Sequence, residues 1–307
     1  MAITAAMVKE LRELTGAGMM DCKKALNETN GNIEDAIEYL RKNGQAKAEK
    51  KAGRIAAEGV VRTLVNNDKV GAIVEVNSET DFVAKNEQFQ KLVAGVIAKV
   101  IDTETEDVET LLTETWPGEA SKTVKEVLVE GIATIGENLT IRRFEKITTD
   151  GLVVDYIHGE GRIGVLVEAK TDVINDDIKR ALRNVAMQIA AMNPKYVSEA
   201  EVSEDYKAHE KEILLSVAKV ENPEKPDHII EKMIIGRLNK QLKEVCLLSQ
   251  QYVQDGDLTV AGYVQNVAKA NGANLEVVKF VRYETGEGIE KKELDFAAEV
   301  AAQLEVE

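Results

Sequence analysis

The 307-residue chain has few cysteines, histidines, prolines and aromatic residues. Its two cysteines, Cys22 and Cys246, lie far apart without CxxC spacing, so we predict no disulfide framework, as is typical of a reducing cytoplasm. Its three histidines, His158, His209 and His228, are scattered, with no carboxylate at ligand spacing. We therefore expect no metal site and no cofactor.

Long apolar runs are also missing. No stretch of about 18 apolar residues is present to span a bilayer. The first residues, MAITAAMVKELREL, alternate apolar and charged side chains and lack the apolar core of a signal peptide. We expect a cytoplasmic protein with no membrane partner.

Basic residues are outnumbered by acidic ones. Thirty-nine Lys and Arg against 54 Asp and Glu give a formal net charge of −15. Because a nucleic acid backbone is itself anionic, this balance disfavours direct nucleic acid binding and favours a basic or mixed protein partner.

Catalytic motifs are scarce as well. The sequence has no Walker lysine loop, no GxSxG elbow and no Cys/His pair. A GxGxxG pattern occurs at Gly159, Gly161 and Gly164, but it lies between two strand-like runs instead of before a helix. We interpret it as a glycine-rich hairpin turn and predict that the chain is not an enzyme.

Helical periodicity dominates the N-terminal segment. Thr4 is positioned to cap a first helix that ends at Gly16, a second helix follows through DCKKALNET, and Asn32 is positioned to cap a third. The stretch GQAKAEKKAGRIAAEG after it is interpreted as a solvated linker or frayed helix. The predicted inward residues of the first helix are Met7, Val8, Leu11 and Leu14.

An internal repeat occupies the middle of the chain. Residues 59–100 and 151–192 both predict a β-hairpin followed by a helix, which indicates two related α/β subdomains. The predicted buried faces of the two helices comprise Phe89, Leu92, Val93, Val96, Ile97 and Val100 in the first and Ala181, Val185, Ile189 and Met192 in the second. Residues 101–122, which include the single tryptophan Trp116, are interpreted as a variable surface excursion.

The C-terminal part is mostly helical. From 198 to 248, a tight antiparallel helical hairpin is predicted, broken at Pro223 and Pro226. A helix ending at Gly272, a strand over 276–283 and a last amphipathic helix follow. The predicted stripes of the hairpin are Tyr206, Ile213, Val217 and Val220 on its first helix, and Ile230, Ile234, Leu238, Leu242 and Val245 on its second.

Two apolar features are candidates for partner contact. Met19 and Met20 are adjacent, so at least one is expected to be exposed. Phe82, in NSETDFVAKNE, either fills the join between its hairpin and helix or contacts a partner. The second copy of the repeat keeps Thr171-Asp172 but has Val173 in place of the phenylalanine. This difference weakens the otherwise favoured burial of Phe82.

Five segments resemble the bacterial elongation factor Ts family: VKELRELTGAGMMDCKKAL, EVNSETDFVAKNEQF, IGENLTIRR, HGEGRIGVLV and GEGIEKKELDFAAEVAAQ. The resemblance implies an α+β fold with an N-terminal three-helix module similar to ubiquitin-associated (UBA) domains. It also implies a core of two α/β subdomains, an inserted coiled-coil hairpin and a C-terminal helix. The domain bounds expected are 1–54 for the module, 55–149 for the first core subdomain, 150–197 with 249–286 for the second, 198–248 for the hairpin and 287–307 for the C-terminal module.

The resemblance further implies guanine-nucleotide exchange on elongation factor Tu, in its GDP-bound and nucleotide-free forms. Thr80, Asp81, Phe82 and Val83 are implied to disturb the magnesium site of that partner. The residues implied to bind the partner are Arg12, Met19, Met20, Lys23, Ile135, Gly136, His158 and Val253, together with the tail from about 288. Gln254 departs from the family pattern, in which an apolar residue is common. A non-catalytic adaptor that uses its helical modules as docking surfaces is the alternative function.

Overall fold

The structure is a computed structural model in which residues 3–290 are described. Its architecture is mixed α+β, with N-terminal helices and small antiparallel sheets. The amphipathic helix predicted for the tail, 289–307, lies outside the described residues from 291 onward.

Three helices form the N-terminal cluster. Thr4 and Asn32 accept hydrogen bonds from backbone N–H groups and cap the first and third helices, and Gly16 ends the first with φ of 66°. Leu14 is 62% exposed, so its predicted inward position is wrong. The helices are α1 (Ala5–Thr15), α2 (Met19–Glu28) and α3 (Ile33–Lys51), and they bury Val8, Leu11, Cys22, Ala25, Leu26 and Ala36.

Helix α3 continues to Lys51 and takes in the first half of the segment interpreted as a linker or frayed helix, and for that half the interpretation is wrong. Gly44 and Ala48 are buried on one face of the helix. Ala48 belongs to the core of the first sheet, and a Cβ on Gly44 would lie 3.4 Å from Ala133 Cβ. The long helix is therefore kept helical by packing at its C-terminal half, which its Ala- and Lys-rich composition does not reveal.

Two three-stranded antiparallel sheets follow, in the orders β1-β2-β5 and β6-β7-β8. The first is built from β1 (Glu58–Asn66), β2 (Val70–Ser78) and β5 (Thr140–Thr148), and the second from β6 (Leu152–His158), β7 (Ile163–Thr171) and β8 (Leu275–Glu284). Each central strand has a register shift against its third strand, between Glu75 and Val76 in β2 and between Glu168 and Ala169 in β7. The internal repeat thus extends to the third strand of each sheet.

Helices cover one face of each sheet, and the other two faces pack together. Val60 and Val61 are adjacent in β1 and lie on opposite sides, in the helix-covered core and the intersheet core respectively. The covering helices are α5 (Glu87–Asp102) and α7 (Val124–Ile135) on the first sheet, and α8 (Asp176–Met192) and α11 (Val260–Ala270) on the second. The GxGxxG segment forms the turn between β6 and β7, as predicted.

Residues 101–122 lie mostly at the surface, as interpreted, but they are anchored in the core of the first sheet through Leu111 and Trp116. They include the short helix α6 (Val108–Thr113) and the paired strands β3 (Thr115–Trp116) and β4 (Glu119–Thr123). Leu111 is fully buried, and Trp116 packs on α5 where Gly95 leaves room for its ring. A Cβ on Gly95 would lie 2.0 Å from the Trp116 ring.

The antiparallel hairpin consists of α9 (Glu204–Glu221) and α10 (Asp227–Val245). The predicted stripe on α10 holds for Ile230, Ile234 and Leu242, which are buried. On α9 the predicted stripe holds for Tyr206, which packs against the cluster of Leu242 and Cys246, but its other members are wrong, because Leu214, Leu215 and Ala218 face α10 instead. The exposed members of that stripe are Ile213, Val217 and Val220. In α8, Met192 is also 48% exposed, against prediction.

Candidate functional site

Residues 80–83 lie between β2 and α5 and begin the one-turn helix α4 (Asp81–Ala84). Thr80 is its N-cap, and its Oγ accepts a hydrogen bond from the backbone N–H of Val83 at 3.4 Å. Phe82 is 81% exposed. The alternative in which Phe82 fills the join between hairpin and helix is therefore wrong, and its ring faces solvent.

The neighbours of Phe82 divide between core and surface. Val83 is half-buried and packs against the core of the first sheet. Asp81 is exposed and pairs with Lys85 at 3.7 Å, an interaction of little strength in water. The turn is thus attached through Val83 while Asp81 and Phe82 project outward.

The equivalent turn in the second copy is arranged differently. Val173 is half-buried against the core of the second sheet, where Phe82 in the first copy is exposed. Asp172 accepts hydrogen bonds from Asn274, at 2.8 Å from its backbone N–H and 2.7 Å from its side-chain amide. These bonds, the backbone one first, hold the pKa of Asp172 below its usual value. Thr171 Oγ accepts from the N–H of Val173 at 3.2 Å, two residues on, and no helix begins there, so the second copy has neither the cap nor the outward aromatic.

The end of α7 lies against the turn at 80–83. Gly136 adopts φ of 92° after Ile135 and redirects the chain. Glu137 then accepts two backbone hydrogen bonds at Oε2, from Glu79 at 3.1 Å and from Thr80 at 3.0 Å. The structure therefore brings Ile135 and Gly136, predicted as partner contacts, beside the turn that carries Phe82.

A second group of predicted residues lies on the N-terminal helices. Arg12 is exposed on α1, and Lys23 is exposed on α2. Met19 and Met20, the first residues of α2, are 59% and 74% exposed. Adjacent exposed methionines form a soft, adaptable apolar surface that suits contact with another protein.

His158 ends β6 and is exposed. Its Nδ1 lies 3.0 Å from the hydroxyl of Tyr156. The turn that follows packs onto the first sheet, where a Cβ on Gly161 would lie 3.0 Å from Val60 Cβ. The histidine is therefore presented by a turn that is fixed between the two sheets.

Val253 lies in a loop and is 52% exposed. Its backbone N–H donates to Oε1 of the fully buried Gln188 at 2.9 Å. Tyr252 stacks on Tyr263 with ring centroids 4.2 Å apart, and burial raises the pKa of the Tyr252 phenol. Gln254, the departure from the family pattern, is exposed.

Sequence reasoning missed Glu137 and Gln188, the two side chains that hold the backbone of predicted contact segments. Each gave a local signal. Glu137 is a carboxylate directly after a helix-ending glycine, and Gln188 is an amide within the apolar face of a helix. Their partners are distant in sequence, 57 residues for Thr80 and 65 for Val253, so the signals could not be read as specific contacts.

Within residues 3–290, no group of three or more His, Cys, Asp and Glu side chains is placed to hold a metal ion. Over the same residues, no helix combines the length and apolar character that crossing a membrane requires.

Phe82 is outward on a capped turn of the α+β core, and Met19 and Met20 are exposed on a helix of the N-terminal cluster. Exposed apolar side chains of this kind are typical of a protein that binds another protein. Residues 79–287 match the family described as Elongation factor TS. Elongation factor Ts of Clostridioides difficile (strain 630) is 55% identical over 303 residues, covering 98% of this chain and 99% of that protein. Elongation factor Ts of Clostridium perfringens (strain 13 / Type A) is 52% identical over 301 residues, covering 97% and 98%. The chain belongs to the elongation factor Ts family, so it is a translation elongation factor of the exchange-factor class and not an enzyme.

Proposed function

We propose that this chain promotes release of GDP from elongation factor Tu, binding both the GDP-bound and the nucleotide-free partner in the cytoplasm. Family membership supports this assignment, and the observation that carries it is Phe82, 81% exposed on a capped turn. Moving a large apolar side chain from water into contact with a partner lowers the free energy of the complex.

The turn at 80–83 acts on the partner's magnesium site. Magnesium requires near-ideal octahedral oxygen geometry and bridges nucleotide phosphates to protein, so a small displacement of its support costs much of its affinity. Phe82 inserts between the elements that flank this site, and Asp81 competes for polar groups there. Ile135 and Gly136, beside the turn, contact the same region.

The size of the effect follows from burial of one ring. Burying a phenylalanine contributes roughly 1.5 to 3 kcal/mol, which corresponds to about 10-fold to 150-fold in an equilibrium or rate. Exchange needs no covalent chemistry. Coupling between two ligands of one protein is reciprocal. If the factor weakens the binding of GDP to elongation factor Tu, GDP weakens the binding of the factor to the same degree.

The remaining predicted residues anchor the complex. Arg12, Met19, Met20 and Lys23 contact the nucleotide-binding domain of the partner, together with the tail from about residue 288. His158 and Val253 contact another partner domain. We also propose that the N-terminal helices form a UBA-like module and that α9 and α10 form an inserted coiled-coil hairpin, within the domain bounds expected from the resemblance.

The first experiment replaces Phe82 by alanine. We expect Phe82→Ala to slow factor-stimulated release of fluorescent GDP by about tenfold or more in stopped flow, while complex formation in a pull-down weakens much less. Val220→Ala is the matched control, because Val220 is 83% exposed on the hairpin and should leave release unchanged. An unaltered release rate for Phe82→Ala would contradict the proposed insertion of Phe82 as a wedge beside the partner's magnesium site.

The adaptor alternative is tested with the unmodified protein. An exchange factor accelerates GDP release at sub-stoichiometric amounts because it turns over, whereas a passive binder does not. Release that stays proportional to one-to-one complex formation would favour the adaptor.

A further inference from the structure

We propose that Glu137 is a positioning residue for exchange: its carboxylate holds the turn at 80–83 in the orientation that presents Phe82. This inference rests on the proposed function of Phe82. It concerns a residue that does not itself carry the wedge and acts through the backbone of the turn.

The carboxylate of Glu137 binds the start of the turn at three points. Oε2 accepts from the backbone N–H groups of Glu79 and Thr80, and Oε1 accepts from the hydroxyl of Thr80 at 2.7 Å. An ionised carboxylate is a stronger acceptor than a neutral group, and two successive N–H groups fix its direction. Its three bonds therefore specify both the position and the tilt of residues 79 and 80.

The hydroxyl of Thr80 transmits this constraint to α4. It donates its proton to Glu137 and uses its oxygen to accept from the N–H of Val83. The carbonyl of Thr80 accepts from the hydroxyl of Ser78 at 3.0 Å. Glu137, Thr80 and the first turn of α4 thus form one chain of hydrogen bonds that ends beside Phe82.

Residues 79–80 and residues 137–138 each bind the backbone of the other segment. Glu79 Oε1 accepts from the backbone N–H of Asn138 at 2.6 Å, so each segment binds the other's backbone with a glutamate. Arg54 joins the same place, with its guanidinium 3.5 Å from Glu79 and its carbonyl accepting from the Asn138 side chain at 2.8 Å. The start of the turn is therefore held by both glutamates, Glu137 and Glu79.

Phe82 needs such a clamp because its own ring has little packing to hold it. Helix α4 has four residues, too few for stability on its own. With the ring 81% exposed, its direction is set by the backbone beneath it. A wedge that is already oriented loses less freedom when it enters the partner, which favours the step it promotes.

Three substitutions separate the contributions of length and charge. Glu137→Ala removes every acceptor. Glu137→Asp keeps the charge but is one methylene too short to reach both N–H groups. Glu137→Gln keeps the length, and its amide oxygen can still accept from the backbone while its NH2 donates to the Thr80 oxygen.

We measure release of fluorescent GDP from elongation factor Tu across a range of factor concentrations, which separates the maximal rate from the half-saturating concentration. We expect Glu137→Ala and Glu137→Asp to lower the maximal rate about tenfold, because each loses backbone hydrogen bonds that hold the turn. Glu137→Gln should stay within about threefold of the unmodified chain. Half-saturation, set by the other anchors, should change little. Equal maximal rates for Glu137→Ala and the unmodified chain would overturn the proposal.

A double variant distinguishes positioning from a general loss of structure. If Glu137 acts only through Phe82, adding Glu137→Ala to Phe82→Ala causes no further slowing. Full additivity of the two effects overturns the proposal, as does slowing by Glu137→Ala that vanishes once the folded fraction, measured by circular dichroism, is taken into account. A normal rate for Phe82→Ala alone would instead overturn the proposed function.

Discussion

Glu75 is a charged residue in the interior of the protein. Its side chain is fully buried on β2, with Oε1 2.9 Å from Arg142 and Oε2 2.6 Å from Arg143. Oε1 also accepts from the backbone N–H of Gly286 at 2.8 Å. Because a buried charge is tolerated only when paired and hydrogen-bonded, this group fixes where the chain leaves β8.

We predict that Glu75→Ala lowers the free energy of unfolding by about 3 to 5 kcal/mol, because it leaves Arg142 and Arg143 without their shared partner. Urea unfolding followed by circular dichroism measures the loss. Glu168→Ala is the control, since Glu168 occupies the same place beside the register shift of β7 and is only half-buried. Equal losses for the two variants would contradict the importance of the buried pair.

Single residues were predictable from the sequence where a local feature or the internal repeat identified them, as the adjacency of Met19 and Met20 did. Comparison of the two copies separated Phe82 from Val173 before their exposure was known. It could not show that Phe82 faces solvent, because exposure depends on how the turn packs on the neighbouring elements. Glu137 and Gln188 stayed unassigned for the same reason: each side chain binds a backbone far from it in sequence.

At the level of elements, the caps were predictable and the packed faces less so. Thr4, Asn32 and Gly16 give local signals that need no knowledge of the fold. The face that α9 turns to α10 could not be read, because its apolar residues nearly surround the helix and two stripes compete. Packing selects Leu214 and Ala218 against Ile230 and leaves Ile213, Val217 and Val220 of the predicted stripe exposed.

Adjacent isoleucines on α10 test this packing. Ile234 is 1% exposed and Ile235 is 53% exposed. We predict that Ile234→Ala destabilises the hairpin by about 2 to 5 kcal/mol, whereas Ile235→Ala changes its stability by about 0.5 kcal/mol or less. Limited proteolysis measures the difference, with cleavage within 204–245 accelerated only for Ile234→Ala. Similar cleavage of both variants would mean that the assigned face is wrong.

For the whole molecule, the sequence revealed the two hairpins but not the sheets that they complete. Strand β5 follows β2 only after four helices, α4 to α7, and the β3–β4 hairpin, and β8 follows β7 after α8, the helical hairpin and α11. Insertions of different structure hide this correspondence from a comparison by sequence. The shared register shifts show that the two sheets have the same construction.

The two sheets also meet through equivalent contacts. A Cβ on Gly71 of β2 would lie 2.5 Å from Val153 Cγ1 of β6, and one on Gly164 of β7 would lie 2.4 Å from Val61 Cγ1 of β1. Each central strand thus has a glycine where a valine of the opposite sheet enters. The intersheet core depends on both glycines, because the valines leave no space for a methyl group.

We predict that Gly71→Ala and Gly164→Ala each lower the free energy of unfolding by about 1 to 3 kcal/mol, through overpacking between the sheets. Gly53→Ala is the control, since nothing lies within 4 Å of an added Cβ there. Shortening a valine to alanine should restore stability only to the variant of the glycine that faces it. Thus Gly71→Ala with Val153→Ala loses less than the sum of the single losses, while Gly71→Ala with Val61→Ala is additive. Urea unfolding of all these variants measures the losses in the free energy of unfolding. If Gly71→Ala were coupled equally to Val153→Ala and to Val61→Ala, the paired arrangement would be contradicted. Such a result would mean that the two sheets adjust as a whole and not at two separate contacts.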